Sequence, residues 1–165
     1  MPPGKGGMLI IGLGNQYRRD DAAGLVAARR LKEAAPAHVR VLEESGEGTA
    51  LMESWQGADT VILIDALDSG AKPGTVRRLD AHREPIPTRF FHYSTHAFGV
   101  AEAIELARVL GQLPPRLIVY GIEGRTFEAG LGLSPEVEKA ARELVERVLG
   151  DLCCDPHLPG VSVLN

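Results

Sequence analysis

The sequence is poor in cysteine and has no long apolar run. Its 165 residues include two cysteines, and these are adjacent, Cys153 and Cys154. A vicinal pair is not the spaced set that forms a disulfide framework, so secretion is not indicated. No segment approaches the ~20 apolar residues of a membrane span. The apolar run that follows residues 1–7 is too short for a signal peptide. We therefore expect a cytoplasmic protein without a membrane span.

An excess of positive charge is also missing. The chain carries 22 acidic and 18 basic residues, which gives a formal net charge of −4. Proteins whose main partner is nucleic acid need a basic face to neutralise phosphates, so this class is not expected. Domains commonly span ~100–200 residues, so the length predicts one domain. We place that domain at residues 1–150 and expect residues 151–165 to form a loose tail.

Several motifs of catalysis and nucleotide binding are absent as well. Gly12-x-Gly14 begins like a dinucleotide-binding turn, but Tyr17 stands where that pattern requires a third glycine. The sequence contains no phosphate-binding Walker A motif, no H-E-x-x-H zinc motif and no G-x-S-x-G nucleophile elbow. We therefore expect no nucleotide cofactor, and no serine or cysteine nucleophile is evident.

Short apolar runs alternate with helical patterns along the chain. The runs predict buried strands at residues 8–11, 39–42, 60–64 and 116–122, and residues 75–79 suit an antiparallel edge strand. The helical patterns begin after Asp20-Asp21 and end before Pro36, and recur at residues 49–55, 97–110 and 135–149. This alternation predicts a three-layer α/β/α fold with a mostly parallel, twisted, five-stranded sheet. Ligands of such folds bind at the carboxyl ends of the strands.

Three groups of polar residues are expected at that edge of the sheet. Asp20-Asp21 follow the first strand, Asp65 ends the third, and His96 opens the helix after a proline-rich loop. Two carboxylates and one imidazole suit a borderline divalent ion such as Ni²⁺ or Zn²⁺, with coordination positions left open. The sequence therefore predicts that Asp21, Asp65 and His96 form a metal-recognising site, with Asp20 as a neighbour or cap.

Each of these residues has a structural alternative. Asp21 also suits the positive end of a helix dipole. Asp65 also suits a turn or cap, although a carboxylate directly after apolar strand residues loses hydration unless something pairs with it. His96 also suits a helix cap or the core. The segment Cys153-Cys154-Asp155-Pro156-His157 has metal-binding side chains, but it lies outside the predicted core and fits a loose tail better.

Five motifs resemble, in the same order and over residues 8–149, the hydrogenase maturation endopeptidases. The opening motif is Ile10-Ile11-Gly12-Leu13-Gly14-Asn15-x4-Asp20-Asp21-x2-Gly24, and the others are Gly48-Thr49, Ile64-Asp65-Ala66, Ser94-x-His96-x2-Gly99 and Gly132-Leu133-Ser134. This family trims the large subunit of nickel–iron hydrogenases. The ordered set of motifs is specific.

The resemblance implies an endopeptidase that removes a C-terminal extension from the large-subunit precursor after nickel insertion. It implies that Asp21, Asp65 and His96 recognise nickel that arrives with the precursor. It also implies that Gly48 and Thr49 bind the substrate. The catalytic group is not identified, and Asp21 and Asp65 are its candidates. Many members have glycine where this chain has Arg19 and Ala22-Ala23. We expect a monomer.

Two alternatives stay open at this point. Peptidyl-tRNA hydrolases also begin with a strand and a Gly-Leu-Gly-Asn turn. Here Arg18-Arg19-Asp20-Asp21 occupy the place of that family's segment with the catalytic histidine, so the histidine is missing. The other alternative is a module that binds nickel or the precursor without cutting it.

Overall fold

The computed structural model describes residues 6–91 and 96–154. Within them, five strands form one sheet in the order β2-β1-β3-β5-β4. Neighbouring strands are parallel except β4, which runs antiparallel to β5 at the edge. This confirms the predicted mostly parallel sheet and its antiparallel edge strand. The strands are β1 Met8–Leu13, β2 Val39–Glu44, β3 Thr60–Leu67, β4 Val76–Asp80 and β5 Arg116–Glu123.

Helices cover both faces of the sheet. Ile62, Ile64 and Ala66 of β3 pack towards α1 and α4, whereas Val61, Leu63 and Leu67 pack towards α2 and α3. Two short 3₁₀ helices lie at Arg19–Ala22 and Thr88–Phe91. None of the described helices is long and apolar enough to cross a membrane. The α-helices are α1 Ala23–Ala34, α2 Gly48–Ser54, α3 Val100–Val109 and α4 Pro135–Cys154.

Two glycines let the start of α1 lie directly against the sheet. A Cβ on Gly12 of β1 would stand 2.2 Å from the carbonyl oxygen of Gly24, and one on Gly24 would stand 2.2 Å from that of Ile64. No side chain fits at such separations, which is why glycine occupies both positions. The glycines thus hold the residues that precede α1 over the carboxyl edge of the sheet.

The beginning of α3 differs from the prediction. The helix starts at Val100 and not at residue 97, so His96 lies in the connecting segment and does not open the helix. Gly99 is extended, with φ −108° and ψ −156°. The carbonyl oxygen of Phe98 accepts a hydrogen bond from the amide of Gly48 at 2.9 Å. The contact with α2 therefore holds the residues before α3 in a non-helical conformation.

The end of α4 also differs. The helix continues to Cys154 rather than ending near Leu149, so residues 151–154 belong to it and not to a loose tail. Leu152 is buried in the core between the sheet and α4, which explains why the helix continues. The rest of the predicted tail, including Asp155, Pro156 and His157, lies outside the described residues.

Candidate functional site

A cavity of about 400 Å³ opens at the carboxyl edge of the sheet. The chain passes from β1 outward to β2 and then returns to β3 on the other side of β1, so the connections after β1 and β3 diverge at this point. Ligands of open α/β sheets bind at such switch points. The cavity walls include all three of the predicted residues, Asp21, Asp65 and His96.

Asp21 is held by the tight turn after β1. Its side chain is buried, and Oδ2 accepts a hydrogen bond from the amide of Asn15 at 3.0 Å. Gly14 has φ +145°, and a Cβ there would stand 1.9 Å from the carbonyl oxygen of Asp21. The Gly-x-Gly turn therefore brings the backbone close to the 3₁₀ helix that carries Asp21.

Asp65 lies within β3, not at its end as predicted. The pairing of β1 with β3 stops at Gly12 and Ile64, whereas β3 and β5 stay paired through Asp65 and beyond. Asp65 is therefore the first residue of β3 beyond its pairing with β1. It is buried, and its Oδ1 accepts a hydrogen bond from the amide of Ala66 at 2.8 Å. This position places a desolvated carboxylate at the cavity.

His96 reaches the cavity from the segment before α3 and is half-buried. Ser94 of the same motif lies outside the described residues. Glu47, at the start of α2, accepts hydrogen bonds from the amides of Thr49 and Ala50, both at 2.9 Å. These bonds lower the pKa of Glu47, and attraction to His96 lowers it further. Glu47 therefore stays ionised at neutral pH.

The three predicted ligands do not form a closed metal cage. Among residues 6–91 and 96–154, no three His, Cys, Asp or Glu side chains are grouped so that they could hold a metal ion. The cavity, at about 400 Å³, is far larger than the ~30 Å³ that a water molecule occupies in the liquid. Asp21, Asp65 and His96 thus share one cavity wide enough for an ion that brings ligands of its own.

Asp20 is a structural anchor and does not line the cavity. It is completely buried. Its Oδ2 accepts hydrogen bonds from the amides of Arg125 at 2.8 Å and Thr126 at 3.1 Å and from the hydroxyl of Ser134 at 2.8 Å, while Oδ1 accepts from the amide of Ser134 at 2.7 Å. Asp20 therefore fixes the segment between β5 and α4 to the loop that carries Asp21.

The cavity also contains residues that the sequence did not single out. Glu102, in the first turn of α3, lines it and accepts a hydrogen bond from the amide of Gly99 at 3.2 Å. Arg18 lines it from the loop after β1. A lone glutamate at the start of a helix and an arginine in a polar loop carry no sequence signal of a site, which is why they were missed.

Gly48 and Thr49, the predicted substrate-binding pair, are not among the residues that line the cavity. A Cβ on Gly48 would stand 2.4 Å from the ring of Phe98, so glycine is required there for packing against the segment before α3. Ser45 and Gly46, just before this pair, line the cavity instead. Gly48 thus acts on the site by allowing α2 to approach the segment that carries His96.

Glu44 is the last residue of β2 and directly precedes Ser45 and Gly46, which line the cavity. The hydroxyl of Ser54 donates to its Oε1 at 2.9 Å, but its buried Oε2 has no hydrogen-bond partner. Burial raises the pKa of Glu44, and repulsion by Glu47 raises it further, against the opposing effect of the Ser54 hydrogen bond. The protonated form of this carboxyl is thus favoured relative to an exposed glutamate.

Arg19 adopts a left-handed conformation, with φ +47°. This conformation costs a residue with a Cβ about 1 kcal/mol or more, whereas glycine adopts it freely. We expect Arg19→Gly to be more stable than Arg19→Ala by about 1 kcal/mol, because the two variants lose the same arginine and differ in the Cβ. Urea unfolding of both variants measures the difference. An alanine variant at least as stable as the glycine variant would show that the loop relaxes without strain.

Comparisons with known proteins agree on one family. A family model described as hydrogenase maturation protease matches residues 25–151. The hydrogenase 2 maturation protease of Escherichia coli K12 is 30% identical over 149 residues, which cover 88% of this chain and 90% of that protein. A solved structure of the hydrogenase maturating endopeptidase HybD from Escherichia coli matches with a TM-score of 0.75 and 28% identity, and the match covers 88% of this chain and 91% of that chain. The maturation protease HybD from Thermococcus kodakarensis matches with a TM-score of 0.62 and 25% identity, over 86% of this chain and 96% of that chain.

Proposed function

The chain belongs to the hydrogenase maturation protease family, whose members hydrolyse peptide bonds, and we propose that it trims a nickel–iron hydrogenase large-subunit precursor. In this proposal, it removes the C-terminal extension after it has recognised the nickel that the precursor carries. The family match favours this reaction over the hydrolysis of peptidyl-tRNA, since it is a match to proteases.

One observation carries the proposal. Asp21, Asp65 and His96 come from three segments that are far apart in the sequence, and all three line one cavity. Carboxylate and imidazole groups together suit a borderline divalent ion such as Ni²⁺. Nickel is part of the substrate here, and ligands from the precursor complete its coordination. We therefore expect the protease alone to bind free nickel weakly.

The same carboxylates supply a route for hydrolysis. Asp21 or Asp65 accepts a proton from a water molecule while the water oxygen bonds to the scissile carbonyl carbon. The C–N bond then breaks, and the proton passes to the leaving amine. Both carboxylates are largely buried, where a fixed charge acts more strongly than in water. Thr49, exposed at the start of α2, remains a candidate for contact with the precursor outside the cavity.

The proposal predicts that cleavage depends on the nickel of the precursor. The purified protein is mixed with nickel-loaded and nickel-free precursor, and the mass of the large subunit is followed over time. We expect shortening of the loaded form, and at least about tenfold slower shortening of the nickel-free form, because loss of binding worth ~1.4 kcal/mol already costs tenfold.

Two outcomes would contradict the proposal. Equal cleavage rates for the loaded and nickel-free precursors would mean that nickel is not recognised. A stable complex with the loaded precursor, without any change in mass, would favour the non-cutting module that the sequence left open.

A further inference from the structure

Two backbone segments, residues 16–18 and residues 130–131, pair beside the mouth of the cavity. Together they form what we call the ridge. The amide of Gly130 donates a hydrogen bond to the carbonyl oxygen of Tyr17 at 2.8 Å. The amide of Arg19 donates one to the carbonyl oxygen of Gly130 at 3.2 Å. Arg18 and Gly130 thereby form an isolated parallel bridge. On either side of residues 130–131, the amides of Thr126 and Ser134 donate to the buried carboxylate of Asp20, which closely follows Arg18 in the chain. The ridge is thus held at several points.

This ridge exposes two large apolar side chains. Tyr17 is 63% exposed and Leu131 is 70% exposed, and they stand on the two paired segments within one residue of the bridge. Single exposed apolar residues are common on protein surfaces, but exposed apolar surface beside a cavity often marks an interaction site. Tyrosine is among the residues that contribute most at protein interfaces.

The ridge is continuous with the cavity. Gln16 and Arg18, on either side of Tyr17, line the cavity. A polypeptide whose scissile bond lies among Asp21, Asp65 and His96 has to cross the cavity rim, and the ridge is part of that rim. Because the backbone of the ridge is already ordered, binding to it costs little conformational entropy.

We propose that Tyr17 and Leu131 form a docking surface for an apolar segment of the precursor polypeptide next to the scissile bond. The proposal rests on the function proposed above and adds where, outside the metal-recognising cavity, the protease contacts its substrate. The contact is made equally before and during the reaction, so it acts on substrate binding and not on the chemical step.

The test compares two pairs of exposed apolar residues. The double variant Tyr17→Ser/Leu131→Ser changes the ridge. The double variant Val109→Ser/Leu110→Ser is the matched control, since these residues are 81% and 54% exposed at the end of α3 that is remote from the cavity. Steady-state cleavage of nickel-loaded precursor gives KM and kcat for each protein. We expect the ridge variant to raise KM by roughly tenfold with kcat within about twofold, and the control to keep both values.

The outcomes separate this proposal from the proposed function. If the wild-type protein does not cut the loaded precursor, the proposed function fails. If it does cut but the ridge variant keeps the wild-type KM, or the control loses as much, the docking surface is refuted and the proposed function stands. A ridge variant that changes only the oligomeric state, measured by sedimentation, would assign the ridge to a second copy of the chain and also refute the proposal.

Discussion

Asp65→Asn is expected to slow precursor cleavage by at least about 100-fold while the fold is retained, because a positioned acid or base contributes ~10²–10⁴-fold. Asparagine has nearly the same shape, and its oxygen can still accept the hydrogen bond that Oδ1 now receives from the amide of Ala66. The substitution removes the negative charge, which both proposed roles of Asp65 require. Single-turnover cleavage of nickel-loaded precursor, followed by mass, measures the effect.

The chain offers a matched control at the other end of the same strand. Asp59 directly precedes β3 and is exposed, so Asp59→Asn removes the same charge far from the cavity and should cleave at the wild-type rate. For the imidazole, His96→Ala should also lose cleavage, while the exposed His38→Ala should not. If Asp65→Asn or His96→Ala cleaves the precursor at the wild-type rate, the substituted residue has no role in the proposed site.

The kinetic form of the loss distinguishes the two roles of Asp65. If the carboxylate chiefly recognises nickel in the bound substrate, a higher concentration of loaded precursor restores much of the rate. If it accepts the proton from water, the rate stays low at saturating precursor, because the missing interaction forms only in the transition state. The same comparison with Asp21→Asn shows which of the two carboxylates is the base.

The sequence predicted the sheet because the central strands β1, β3 and β5 are local apolar runs and the helices are local periodic patterns. It did not predict where Asp65 stands relative to the end of its strand. β3 continues to Leu67 because it stays paired with β5 after β1 has ended at Leu13. That length depends on a partner strand about fifty residues further along the chain and not on the local pattern. The start of α3 was misplaced for a similar reason, since contact with α2 fixes the residues before it.

The cavity was predictable in outline because the carboxyl ends of parallel strands meet at one edge. The buried carboxylates that organise its surroundings were not. Glu123 accepts hydrogen bonds from the amides of Ser69 and Gly70, at 2.8 and 3.1 Å, and from the hydroxyl of Ser69 at 2.7 Å. Ser69 is 54 residues away from Glu123 in the sequence, and Gly70 is 53 residues away. Asp20 and Ser134 are 114 residues apart. Such pairs leave no periodic or spacing signal in a single sequence.

Asp20→Ala is expected to lower the free energy of unfolding by roughly 3–5 kcal/mol. The carboxylate is completely buried and accepts four hydrogen bonds, three of them from backbone amides. Alanine leaves these donors without their acceptor, and a buried donor without a partner costs about 1–3 kcal/mol. Asp20→Asn should also destabilise, because its amide nitrogen would face a donor. Urea unfolding of the wild-type and variant proteins gives the difference.

A double-mutant cycle with Ser134 tests whether the anchor itself causes the loss. The hydroxyl of Ser134 donates to Oδ2 of Asp20, so Ser134→Ala should cost about 1–2 kcal/mol in the wild-type protein and much less in Asp20→Ala. As a surface control, Asp80→Ala removes a partly exposed carboxylate that accepts from the amide of His82 at 2.9 Å, and it should cost less than about 1 kcal/mol. Equal costs of Ser134→Ala in both backgrounds would show that the two side chains do not act together. A coupled loss would instead establish that Asp20, which does not line the cavity, holds in place the loop that carries Asp21, which does.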